Sequence, residues 1–384
     1  LLFSCQIGLL EQDTEQECTQ GETCQSTTHP LDQPINLERI ELVESNVMGQ
    51  FAVEYYRNKA YTCAQSGYQT FLLAYRQTDP LETARPLWVR MHGGGTGLYN
   101  DDGSYSKPMT FLTEESLSAL SNHLQETGLL RQIRQHNKGY RFLIPSMCDH
   151  DLYSGVGDVD PNNPNSPDEN GLERATDGLY ATMAALSFAK ERLHANAVFL
   201  HGTSAGAIGA FSLAYALERR DILVDGSVLD AHILSKGWSD IVDAGCTDYD
   251  FWAIAERIGA LLEPQYYPEK LVADGLVSTP LLHVWSRGDE ACCGMSVYDA
   301  SSTTCEHHHN NMRQAIDVLP STNSSLNMEL CVNNPATAEA LACDMHSATK
   351  IDFEMPSLPG NQDDNGSDYN AAIVTWIDGL DADE

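Results

Sequence analysis

A serine-centred turn between an apolar strand and a helix sharply limits the folds open to this chain. Gly202-Thr203-Ser204-Ala205-Gly206 follows the short apolar run Ala197 to Leu200 and leads directly into a helix-like segment, Ala205 to Arg219. Small residues on both sides of a serine let the backbone make a strained strand-to-helix turn. Such a turn presents the hydroxyl, and the N–H groups that open the helix point at an oxygen that gains negative charge beside it. The five-residue pattern alone is common, because Gly and Ser are abundant, and a Gly-rich helix-packing turn would also produce it. Its setting is what makes Ser204 a candidate nucleophile.

Around this turn the chain alternates strand-like and helix-like stretches. Strands are expected at Ile40 to Val43, Phe51 to Tyr56, Gln69 to Tyr75, Leu87 to Met91, Tyr140 to Pro145, Ser227 to Leu229, Leu281 to Trp285 and Leu326 to Val332. Helical spacing of apolar residues predicts helices over Glu114 to His136, Gly171 to His194 and Ala371 to Leu380. Short buried strands alternating with helices predict an α/β fold whose central sheet is mainly parallel and flanked by helices on both faces. Residues 1–36 read as an N-terminal tether and 37–384 as one catalytic domain, with the aromatic-rich stretch 231–279 as a candidate lid or a packed helical excursion. There is no internal repeat at a fixed period.

A nucleophilic serine needs an oxyanion site, a base and an acid that orients the base. His92-Gly93-Gly94-Gly95 follows the strand Leu87 to Met91, and three glycines let a loop turn its N–H groups toward a ligand. Gly93 and Gly94, with Ala205, are the preferred oxyanion donors. In the chain order Ser, acid, His, the acid is Asp289, which follows the strand Leu281 to Trp285, with Glu290 as its neighbour and rival. The base is His346, between the last strand and the last helix. His307, His308 and His309 form a cluster before that strand, open to a metal-binding or a solvated-loop reading.

These motifs together resemble the α/β-hydrolase fold over nearly all of residues 37–384. The HGGG-type loop with Gly202 to Gly206 looks like that of hormone-sensitive-lipase-type esterases. Ser204-Ala205-Gly206-Ala207-Ile208-Gly209-Ala210, with Cys148-Asp149-His150-Asp151-Leu152-Tyr153-Ser154-Gly155, is similar to the pectin acetylesterase family. Secreted polyester depolymerases share the Ser-Ala-Gly turn. The HGGG histidine departs from the usual pectin acetylesterase loop, and Asp289-Glu290-Ala291-Cys292-Cys293 matches none of these groups. The resemblance implies serine-dependent ester hydrolysis without metal or organic cofactor, on acylated carbohydrates, lipids or polyesters. A serine peptidase and a non-catalytic binding protein on the same fold are the alternatives.

Composition narrows the setting. Against 55 Asp and Glu stand 22 Lys and Arg, a net charge of −33 that repels nucleic-acid backbones. No apolar run reaches the ~18 residues of a spanning helix. Eleven cysteines without CxxC or zinc spacing fit an oxidising compartment, so a secreted, periplasmic or surface-anchored protein is expected. Leu2-Phe3-Ser4-Cys5 resembles the end of a bacterial lipoprotein signal, which makes Cys5 a candidate lipid anchor. Cys331 and Cys343 flank His346, and Cys292 and Cys293 follow Asp289, but spacing does not dictate pairing. Asp158, Asp160, Asn162 and Glu169 match part of a calcium-loop pattern, although Asn163 stands where Gly is wanted and prolines interrupt it.

Overall fold

The computed structural model describes residues 29–94, 97–106, 111–231, 261, 264–286, 304–330, 348–350 and 369–380. It divides between Gln33 and Pro34. On the N-terminal side a single 3-10 turn, Pro30–Asp32, lies within the expected tether, whose residues 1–28 are outside the description.

The larger unit is built on one sheet of nine strands. Its first half comprises β1 (Ile40–Met48), β2 (Phe51–Thr62), β3 (Tyr68–Arg76), β4 (Arg85–Met91) and β5 (Arg141–Pro145). A separate two-stranded ribbon, β6 (Asp158–Val159) and β7 (Ala175–Thr176), intervenes before β8 (Ala195–Thr203), β9 (Gly226–Asp230), β10 (Leu281–Ser286) and β11 (Leu326–Leu330) complete the sheet. The spatial order is β1-β2-β3-β5-β4-β8-β9-β10-β11. Pairings from β1 to β5 through β3 are antiparallel, and those from β5 to β11 are parallel. The mainly parallel sheet is therefore present as expected.

β1 and β2 form a hairpin through Gly49, whose φ of +58° suits the tight turn. β1 runs to Met48, beyond its expected end, and its register shifts between Leu42 and Glu44. Almost every residue of β1 is exposed, whereas β4, β5 and β9 are covered on both faces.

The helices are α1 (Leu117–Leu124), α2 (Gly128–Gln135), α3 (Gly178–Arg192), α4 (Ala205–Glu218), α5 (Pro268–Ala273), α6 (Thr304–Asp317) and α7 (Tyr369–Leu380). Two corrections to the expected helices have local causes. The single helix over 114–136 is two, because Gly128 takes φ +61° and turns the chain between them. The helix expected from Gly171 starts at Gly178: Gly171 occupies a turn at φ +79°, and Ala175–Thr176 is used in the ribbon with β6. A third difference is α6, for which the His-rich stretch carried no helical expectation.

The core on one face gathers Trp88, Tyr140, Phe142 and Phe199 with Leu129, Leu130 and Ile133 of α2 and Ile373 and Ile377 of α7. Trp88 is wholly buried and meets Tyr140 edge-on at 5.8 Å and Phe199 at 6.1 Å. α4 is apolar and small on all sides, the composition of a helix buried all round. Among the described residues no helix is long and apolar enough to cross a membrane. Of the candidate lid, 232–260 and 262–263 lie outside the description; α5 and the strap leading to β10 belong to the remainder.

A disulfide joins Cys63, just past β2, to Cys148, just past β5, closing 85 residues of sequence separation. Closing a loop of that size removes much unfolded-state entropy. The double variant Cys63→Ser/Cys148→Ser is expected to unfold with about 2–5 kcal/mol less stability, measured by urea denaturation. An unchanged midpoint, with two thiols titrating in the native wild type, would rule the bridge out.

Candidate active site

Ser204 stands where β8 ends and α4 begins, with φ 55° and ψ −123°, a conformation a side-chain-bearing residue rarely takes. Three contacts hold it there. Its N–H donates to Asp230 O at 2.9 Å, tying the turn to the end of β9. Its own carbonyl accepts from Ala207 N at 2.8 Å and starts the helix. Arg90, fully buried on β4, donates from Nη2 to Thr203 Oγ1 at 3.2 Å and from Nη1 to Met91 O at 2.5 Å, bracing the strand ends on both sides.

The glycines around Ser204 are required by packing. A Cβ on Gly202 would run into Gly206 O, and one on Gly206 would run into Met91 O and lie 2.8 Å from His92 O. At Gly209 it would meet Tyr153 Cβ at 2.6 Å. A Cβ on Gly93 would lie 2.9 Å from Thr203 O and 3.0 Å from Ser204 Cβ. The loop after β4 therefore lies directly against the serine turn, backbone to backbone, and brings Gly93 to Ser204. Gly94 packs beside Phe111 and Met147, while Gly95 lies outside the described residues.

His92 sets this loop. Its Nδ1 is 2.9 Å from Gly93 O, and its Nε2 is 3.2 and 3.3 Å from the two carboxylate oxygens of Glu115. Glu115 also accepts Met147 N–H at 2.6 Å. Because C=O and N–H of one planar peptide point in opposite directions, turning Gly93 O toward His92 turns the Gly94 N–H away from it. The His92 ring stacks on His123 at 4.1 Å with 2° between planes, and His123 Nδ1 is 3.0 Å from Glu126. Burial pushes the Glu126 carboxyl up, but the Arg90 charge and bonds from His123 and Arg90 hold it well below the usual carboxylate range.

Among the described residues, His92, Glu115 and His123 place potential metal-ligand atoms within 4.8 Å of one another. The stacking argues against a shared ion. Imidazole lone pairs lie in the ring plane, and two rings only 2° from parallel cannot direct theirs to one point.

The Cys148 to Gly155 segment supports the serine helix from below, a role its sequence did not disclose. Leu152 and Tyr153 both take positive φ, 56° and 60°. Asp151 fixes that turn: its carboxylate accepts Tyr153 N and Gly155 N at 3.0 Å each and Gly178 N at 2.6 Å. The last bond caps α3 from a distant loop. Ser154 Oγ meets Ser212 Oγ of α4 at 2.9 Å, and Tyr153 is fully buried against Gly209.

The partial calcium pattern does not form one loop around a centre. Asp160 is 3.2 Å from buried His150, Asn162 donates to Asp101 at 2.8 Å, and Asp158 lies in β6. The histidine cluster is also resolved in part. His309 is buried within α6, 3.1 Å from His283 of β10 and stacked on Trp285, so the solvated-loop reading does not hold for it. The side chains of His307 and His308 are outside the description, as are Asp289, Glu290 and His346. Asp289 follows the end of β10 by three residues, and Thr349, three residues after His346, is described.

The strand order, with a left-handed serine turn after the central strand β8, defines an α/β-hydrolase fold. No protein-family model and no curated protein sequence matches the chain. Among solved structures it is similar to the Wnt deacylase Notum from Drosophila at 13% identity, over 75% of this chain and 84% of that one, with a TM-score of 0.43. An S-formylglutathione hydrolase from Agrobacterium tumefaciens gives 12%, 75%, 88% and 0.43, and an acetyl xylan esterase from Paenibacillus sp. R4 gives 14%, 78%, 83% and 0.42. Likenesses of this size say nothing about substrate.

A half-buried acidic group at the head of α3 yields a pH prediction. Burial, then the charges of Asp151 and Asp158, push the Asp177 carboxyl up to about 7. The unfolded chain releases this proton near the ordinary ~4, so the native state binds more protons between those values. Stability from this group therefore falls as pH rises from ~4 to ~7. Asp177→Asn is expected to gain on wild type across that window, by about 4 kcal/mol at pH 8 relative to pH 4, in urea titrations at both values. A pH-independent difference would mean that Asp177 keeps its ordinary acidity.

Proposed function

We propose that the protein is a serine-dependent carboxylic ester hydrolase that works through an acyl-enzyme. The observation that carries this reading is the left-handed Ser204 at the head of α4, packed against Gly93 of the three-glycine loop. In this mechanism His346 removes the Ser204 proton as the oxygen attacks the ester carbonyl, and Asp289 stabilises the imidazolium. The N–H groups of Gly93, Gly94 and Ala205 hold the oxyanion, each typically worth about 3–4 kcal/mol in the transition state. Two features support the donors: Gly94 N–H points away from the His92 ring, and Ala205 is the first residue of α4. Water, activated by His346, then releases the acid. The scheme calls on no metal or organic cofactor.

Acylated carbohydrates, lipids and polyesters are the substrate classes in view. The protein is read as secreted, periplasmic or surface-anchored, which the Cys63–Cys148 disulfide supports, with Cys5 as the candidate site of lipid attachment.

Hydrolysis of nitrophenyl esters of increasing acyl length, wild type against Ser204→Ala, tests the reading. Wild type is expected to turn over at least the short esters and to be inactivated by a serine-reactive phosphonate. Ser204→Ala should lose at least ~10³-fold in kcat with its fold intact. Equal activity in both forms would refute Ser204, amide cleavage exceeding ester cleavage would favour a peptidase, and an inert, unlabelled, folded wild type would favour a binding protein.

A further inference from the structure

Asp230, the last residue of β9, is 1% exposed and reaches both halves of the proposed machinery. Its carbonyl accepts the Ser204 N–H at 2.9 Å. Its carboxylate oxygen Oδ2 accepts the Thr349 N–H at 2.9 Å and the Thr349 hydroxyl at 2.6 Å. Thr349 is as buried as Asp230 and sits in the 3-10 turn Ala348–Lys350, three residues after His346. A threonine hydroxyl has one proton, and giving it to Asp230 leaves the oxygen to accept from His201 Nε2, 2.9 Å away. His201 thus carries its proton on Nε2; burial, then the charge of Arg90, pushes its imidazole well below the ordinary histidine range and keeps it neutral. A second hydrogen bond, Thr127 Oγ1 to Lys350 O at 2.9 Å, fixes the far side of the turn to α2.

A buried carboxylate is costly unless its oxygens are engaged, and spending one on both the N–H and the hydroxyl of a single residue makes a rigid clamp. We propose that Asp230 is a positioning residue for the reaction: it sets the distance between the Ser204 turn and the turn Ala348–Lys350, which follows His346 in the chain, by holding Thr349 with its side chain and Ser204 with its backbone. This rests on the reading of Ser204 as nucleophile and His346 as base. Asp230 acts through Thr349.

The test compares Asp230→Asn, Thr349→Val, the double variant and Thr349→Ser. Misplacing a base by a fraction of an ångström is expected to lower kcat about 10- to 100-fold with KM nearly unchanged. Asp230→Asn and Thr349→Val should fall equally, the double variant no further, and Thr349→Ser should return to near wild type. If Asp230→Asn falls far more than Thr349→Val, the carboxylate acts on the base directly and the proposal is overturned; losses in the two single variants that multiply in the double variant would overturn it too.

Hydrogen exchange read by mass spectrometry gives a measure that does not depend on activity. In Asp230→Asn and Thr349→Val the peptide covering 347–350 should exchange faster, while the peptide covering 85–91 should not change. Unchanged exchange at 347–350 refutes the clamp. Faster exchange in these variants, beside a wild type that proves inert to esters and phosphonate, would leave the clamp standing and remove the esterase reading, so the two failures are distinguishable.

Discussion

Everything around Ser204 depends on two backbones meeting without side chains between them. Gly202, Gly206 and Gly93 each lie where a Cβ would strike a carbonyl oxygen of a neighbouring segment, and together they let the β4 loop lie flush with the strand-to-helix turn. A hydroxyl and a set of N–H groups can share one small volume only if the main chains carrying them come this close. The strained φ of Ser204 persists because β9, through Asp230 O, and α4, through Ala207 N, fix the residue from two sides. Glycine is therefore the structural material of this site, and the serine is its product.

Beneath that contact lies a polar layer that is unusually complete for the centre of a sheet. Arg90, Glu126, His123, His92 and Glu115 form one chain of charges and rings, ending on Met147 N–H at one side and Thr203 at the other. A buried ion pair gives little net stability once desolvation is counted, but breaking one is expensive, so a network like this favours a single arrangement over its neighbours. Here the arrangement it selects is the orientation of the Gly93 peptide. Asp151 does comparable work on the other side of α4, where three N–H groups converge on one carboxylate and hold two left-handed residues.

The parts of the fold legible in sequence are those governed by local rules. The apolar β8 followed by small residues announced the serine turn, and the Gly run after β4 announced the loop beside it. Helix breaks were missed where the deciding event was one residue's backbone sign, as at Gly128, or a cap supplied from far away, as Asp151 supplies for α3. The histidine-rich start of α6 looks polar by composition, yet His309 faces inward because His283 and Trp285 offer it partners on β10, a pairing no window of sequence contains. The same holds for Cys63 and Cys148, whose proximity follows from the neighbouring positions of β3 and β5 in the sheet. Long-range pairing is the common factor in what was hidden. The acid and the base were assigned from chain order together with their places after the last two strands, signals that lie in the sequence itself.

The exposed outer strand β1 has a consequence for how copies of this chain behave toward one another. A sheet edge offers unpaired N–H and C=O groups to any second edge, and Leu42, Val43 and Val47 leave apolar surface beside it. The irregularity between Leu42 and Glu44 interrupts the run of evenly spaced bonding groups, and Glu41 and Glu44 put negative charge on a strand that would have to lie against its own duplicate. With a net charge of −33 behind it, such an edge is poorly suited to growing the sheet from one molecule into the next. The extra strand caps the sheet with a border that discourages fibre-like stacking, so the negative charge guards against self-association along this edge.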